Sequence, residues 1–132
     1  MNEKTARIRQ EQFGKALDRL KEMIDLPADY FARREGLIQT FEYTIELCWK
    51  TLKAVLELNG RFVNLPRDIL KESFAAGWLG DDDKIWFRMI DDRNMTSHTY
   101  KEELADQVVR HVEGYYPLLR RTHDLLKTKI EE

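Results

Sequence analysis

Leu37-Ile38-Gln39-Thr40-Phe41-Glu42-Tyr43-Thr44-Ile45-Glu46-Leu47-Cys48-Trp49-Lys50-Thr51-Leu52-Lys53-Ala54-Val55-Leu56 decides the fold. Leu37, Phe41, Ile45, Cys48, Leu52 and Val55 recur every three or four residues, the spacing of one face of an α-helix. Ile38, Trp49 and Leu56 widen that stripe. A face this broad needs more than one neighbour, so the segment reads as the centre of a helical bundle. The spacing predicts a helix from about Asp29 to Leu58. Asn59-Gly60 ends it, because glycine takes a left-handed C-terminal conformation at little cost.

Working outward, Ile8, Phe13, Leu17, Leu20 and Ile24 predict a preceding helix from about Thr5 to Ile24, closed by Leu26-Pro27. Downstream, Pro66 opens a short helix with Leu70, Phe74 and Ala75 facing inward, and Gly77 and Gly80 end it. Asp81-Asp82-Asp83 then places negative charge at the start of another helix, where it complements the helix dipole. Ile85, Trp86, Met89 and Ile90 form the buried side of that helix, which runs to about Met95. Thr99-x-x-Glu102 reads as a capping box for the last helix. Leu104, Val108, Val112, Tyr115, Leu119, Thr122 and Leu126 stripe it, and Pro117 predicts a kink. No strand alternation occurs. The expected fold is all-α: a single domain over residues 1–132, an antiparallel four-helix bundle with a broken third helix.

Composition agrees. Of 132 residues, 42% are apolar and 35% charged, as amphipathic helices with long wet faces require. The net charge of −2 argues against a histone-like nucleic-acid binder but leaves room for a local basic site. The one cysteine, Cys48, excludes an intrachain disulfide and reads as a small core residue. Neither a secretory signal nor a membrane-spanning run is evident, so the expectation is a cytoplasmic protein with no membrane association.

Few residues carry chemistry. His98, His111 and His123 are too widely spaced to share a helical turn, and the Asp81–Asp83 run lacks the rest of a calcium loop. No metal and no cofactor is implied. Phosphate loops, nucleophile elbows and dinucleotide fingerprints are missing. What remains is Asp91-Asp92-Arg93-Asn94-Met95-Thr96-Ser97-His98-Thr99-Tyr100, a polar cluster between two striped helices. Arg93 offers a planar fork of donors for phosphate, and His98 can pass protons near neutral pH. The two suffice in principle for metal-free RNA cleavage. The plainer alternative is that they bond carbonyls or a carboxylate such as Asp91 or Asp92. Glu42, Glu46, Lys50 and Lys53 share one face of the central helix, read first as solvated and second as a partner interface. Trp49, Trp78 and Trp86 read as core or dimer anchors.

These residues carry a resemblance. Phe41 through Lys53, Pro66-Arg67-Asp68, Phe74-Ala75-Ala76-Gly77-Trp78 and Asp92 through Tyr100 fall in order, and the chain resembles the nucleotidyltransferase substrate-binding subunit family of the HEPN superfamily. The resemblance implies a four-helix bundle that forms homodimers and partners a minimal nucleotidyltransferase. It implies a toxin–antitoxin pair, in which the bundle cleaves RNA and the nucleotidyltransferase silences it by transferring AMP to tyrosine. Carried over to the pattern Arg-x4-His-x-Tyr, Arg93 and His98 become the catalytic pair and Tyr100 the AMP acceptor. Beside them, Asp92 and Asn94 read as site support, Asn94 alternatively as no more than a helix end. The alternative within the family is a non-catalytic substrate-binding or adaptor subunit. Lys84, Arg88, Arg93 and Lys101 against Asp91 and Asp92 give residues 84–101 a balance of four minus two, or +2, a weak argument for RNA.

Overall fold

The computed structural model describes residues 2–80 and 82–131. Its helices are α1 (Glu3–Asp25), α2 (Arg33–Leu58), α3 (Pro66–Ala75), α4 (Asp83–Met95) and α5 (Glu102–Glu131), with a 3-10 turn, Thr96–His98, between α4 and α5. Among the described residues there is no strand, and no helix is long and apolar enough to cross a membrane.

Helices α1, α2, α4 and α5 run up, down, up, down, and α3 lies antiparallel beside α4, with Arg67 in its first turn 3.5 Å from Asp91 near the end of α4. Inter-helix contacts fix the directions. Gln10 near the start of α1 meets His123 near the end of α5, 2.8 Å apart. Arg33 at the start of α2 donates to the Ile24 carbonyl at the end of α1. Arg34 reaches Asp106 in the second turn of α5 at 3.1 Å, so α2 and α5 run parallel across the diagonal. These two helices touch through the middle, whereas among the described residues the backbone of α1 does not come close to α3 or α4. The broad apolar face of α2 follows from this arrangement, because α2 contacts every other helix.

Phe13, Leu17, Leu20, Leu37, Phe41, Ile45, Cys48, Leu52, Trp86, Met89, Val112, Tyr115 and Leu119 lie in one continuous core. Hydroxyl residues inside it bond their own helices: Thr44 donates to the Thr40 carbonyl, Thr51 to Leu47 and Ser73 to Ile69. That internal bonding lets polar residues occupy dry positions. Gly60 and Gly77 hold φ of 78° and 80°. At each, a hydrogen bond closes the helix end, from Arg61 N–H to the Leu56 carbonyl and from Trp78 N–H to the Ser73 carbonyl. Asp82 caps α4 by accepting from the Lys84 and Ile85 amides; Asp81 of the same run lies outside the described residues.

Several local expectations are corrected. The first helix starts at Glu3, two residues before Thr5, because Asn2 caps it by accepting from the Thr5 amide. Ile8 is exposed, and Ala6 and Gln10 take its place in the core. The central helix starts at Arg33 instead of Asp29. Residues 27–32 form tight turns, with Tyr30 N–H bonded to the Pro27 carbonyl and Arg33 N–H to the Tyr30 carbonyl. Ala32 there takes the left-handed conformation at φ 60° and turns Phe31 outward, 92% exposed. In α3, Ala75 is exposed and Ile69, Leu70 and Ser73 are the buried positions. Thr99 does not cap the last helix. Its hydroxyl turns back to the Thr96 carbonyl at 3.0 Å, and α5 starts from the Lys101 carbonyl.

The diagonal contact of α2 with α5 makes a specific stability prediction. Phe41 on α2 is fully buried, its ring 5.9 Å from that of Tyr115 on α5. Phe41→Ala should lower unfolding stability in a urea titration by about 3–5 kcal/mol. Phe31→Ala, on the exposed turn, should stay within about 0.5 kcal/mol of the parent.

Candidate functional site at the α4–α5 junction

Arg93 lies in the last turn of α4, His98 ends the 3-10 turn, and Tyr100 precedes α5. The segment folds back on itself through its hydroxyls. Thr96 donates to the Arg93 carbonyl at 2.7 Å, Ser97 to the Asn94 carbonyl at 3.4 Å, and Thr99 to the Thr96 carbonyl. Each bond prolongs the α4 spiral for a few residues after its regular hydrogen bonds stop.

Arg93 turns toward α2. Its Nε and Nη2 both approach Glu46 Oε1 at 3.0 Å, its Nη1 donates to the Thr96 hydroxyl at 3.2 Å, and Glu42 lies 3.8 Å away. The guanidinium is therefore held in one orientation and still partly exposed. The carboxylates holding it are Glu46 and Glu42, not Asp91 or Asp92, so the polar face of α2 is a docking face for α4. Asp91 pairs with Arg67 at 3.5 Å.

His98 and Tyr100 are exposed, with rings edge to face and centroids 6.2 Å apart. Neither side chain has a hydrogen-bond partner among the described residues. Tyr100 is 78% exposed and does not cover the bundle end. Arg93 and His98 thus share the junction without bonding each other. A groove of about 210 Å³ opens beside them, lined by Arg34, Ile38, Glu42, Thr96, Thr99 and Ala105 among others. Asn94 is exposed at the edge of the same turn.

Asp92 points elsewhere. It is 3% exposed and faces α5, where its Oδ2 accepts from His111 Nδ1 at 2.8 Å and from the Tyr115 hydroxyl at 2.5 Å. Arg88 Nε donates to the Tyr115 oxygen at 2.8 Å, with the guanidinium over the ring. Burial first, and then the bond to Asp92, hold the Tyr115 phenol above its ordinary range, while Arg88 opposes them. Sequence reading placed Tyr115 in the apolar stripe and overlooked His111 and Arg88 as its partners. A signal was present. Asp92 continues the spacing of Ile85 and Met89, so a carboxylate sits on a buried face and needs donors. His111 and Tyr115, four residues apart, share one face of α5 and supply two.

Cys48 is fully buried, and burial pushes its thiol up, away from the thiolate needed for attack. Trp86 is a core residue whose indole N–H donates to the Leu79 carbonyl. Trp49 and Trp78 are buried as well.

Comparison with known proteins identifies the family and the fold. A curated relative from Haemophilus influenzae, named "Probable ribonuclease HepT", is 36% identical over 87 residues, covering 61% of this chain and 58% of the relative. The match thus spans a little over half of that protein's length. A crystal structure of a protein from Thermus thermophilus superposes with a TM-score of 0.81 at 35% identity, over 86% of this chain and 98% of that one. Residues 8–128 match the family model described as "Nucleotidyltransferase substrate binding protein like". The chain belongs to that family, the one its own sequence resembles.

Proposed function

We propose that the chain is the HEPN-type partner of a minimal nucleotidyltransferase and, when unmodified, a metal-independent ribonuclease acting through Arg93 and His98. The observation that carries the proposal is the junction itself: an oriented arginine fork, an exposed histidine with no hydrogen-bond partner among the described residues, and an exposed tyrosine within eight residues. The printed name of the Haemophilus relative supports the same reading.

In this mechanism the RNA 2′-oxygen attacks the adjacent phosphorus and the bond to the 5′-oxygen breaks, leaving a cyclic phosphate. His98 moves a proton at the 2′-hydroxyl or at the leaving 5′-oxygen. Arg93 stabilises the charge that gathers on the phosphoryl oxygens. Two copies with their Arg–His pairs facing one cleft would hold a strand better than one, which is the role of a homodimer. For silencing, the Tyr100 phenol oxygen attacks the α-phosphorus of ATP, pyrophosphate leaves and the phenolic proton passes to solvent. The attached AMP adds bulk and negative charge next to His98 and can pair with Arg93.

One observation favours a second reading. Glu46 and Glu42 already occupy much of the Arg93 fork, as would suit a non-catalytic subunit that binds or presents substrate to the nucleotidyltransferase. Cleavage of labelled single-stranded RNA by the purified chain separates the two. His98→Ala should lower the single-turnover rate by about 10²–10⁴-fold, and Arg93→Ala by about 10²–10³-fold. Undiminished cleavage by His98→Ala would reject the ribonuclease reading. Binding to the nucleotidyltransferase without any RNA cleavage would leave the adaptor.

A further inference from the structure

Among the described residues His98 has no side-chain hydrogen bond, and its ring meets that of the exposed Tyr100, so its backbone does most to place it. That backbone continues from the last turn of α4 through the bonds of Thr96 and Thr99. Whatever fixes that turn fixes His98. Successive residues on a helix point about 100° apart, and Asp92 and Arg93 use that angle to engage two different neighbours. Arg93 ties the turn to α2 through Glu46, and Asp92 ties it to α5 through His111 and Tyr115.

The α5 side is the better built. Asp92 is buried, both donors converge on its Oδ2, and Arg88 satisfies the Tyr115 oxygen from one turn earlier on α4. A buried carboxylate with two oriented donors holds position far more firmly than an exposed ion pair. His111 is the accessible end of this chain of bonds, its side chain 24% exposed. We infer that His111, with Tyr115, is a positioning residue: through Asp92 it locks the end of α4 and so sets where His98 and Arg93 stand relative to each other.

The inference rests on the ribonuclease reading only for its kinetic readout. His111→Leu removes the Nδ1 donor while keeping apolar bulk. His111→Gln keeps an N–H that can reach Asp92. With both variants folded by circular dichroism, His111→Leu should lower kcat for RNA cleavage about tenfold or more with KM little changed, since small misplacements of a reacting group carry large penalties. His111→Gln should recover most of the loss. Tyr115→Phe, which removes the second donor, should lower kcat in the same way, and it substitutes for His111→Leu if that variant does not fold. Parent-like kcat in these variants, or an equal fall in His111→Leu and His111→Gln, would overturn the inference. If the parent chain cleaves no RNA, the ribonuclease reading fails by itself. The His98 imidazole resonances then decide: a shift or broadening in His111→Leu supports positioning, and an unchanged signal rejects it.

Discussion

The structure depends on burying the broad apolar face of α2. A helix with one apolar stripe can be covered by a pair of neighbours. Residues 37–56 carry a stripe too wide for that, and only a diagonal contact with α5 takes it fully out of water. Phe41 against Tyr115 is the visible join. Because α2 occupies the centre, α4 has α2 on one side and α5 on the other at its C-terminal end. The two polar residues there, Asp92 and Arg93, each find a partner helix. The candidate site is therefore a consequence of the packing: it stands where α4 ends between two long helices.

Sequence reading reaches this architecture because its signals are local or periodic. The stripes of α2, α4 and α5 appear in the core nearly as read, and the breaks at Asn59-Gly60 and Gly77 fall where left-handed glycines close helices. It fails where two local solutions compete. Thr99-x-x-Glu102 has the form of a capping box, yet the Thr99 hydroxyl takes the carbonyl three residues behind it, because the 3-10 turn brings that carbonyl into reach. Asp29 is a good helix opener by type, but the turn after Pro27 delays the helix to Arg33. Ile8 is apolar and correctly spaced for a core residue, but it faces away from α2 and α5.

The site was legible as a list of residues and not as an arrangement. Arg93, His98 and Tyr100 stand together in the sequence and at one junction in the fold. Their surroundings depend on pairings between residues far apart in the chain, which spacing alone cannot reveal. Glu46 holds Arg93 from 47 positions away. His111 and Tyr115 hold Asp92 from 19 and 23. Asp92, expected to support the site, bonds His111 and Tyr115 of α5 on the other side of its helix. The outcome is an arginine restrained by carboxylates, beside a histidine and a tyrosine that are open to solvent. Arg93 is already engaged by Glu46, whereas Tyr100 stands open to solvent.

That contrast makes Tyr100 the most direct place to test the account. The measurement is the intact mass of the purified chain after incubation with a minimal nucleotidyltransferase of the proposed partner type and Mg-ATP, with Tyr100→Phe in parallel. The account predicts a gain of whole AMP units on the parent chain and none on the variant. An unchanged parent mass, with the nucleotidyltransferase shown to be active on another acceptor, would contradict it.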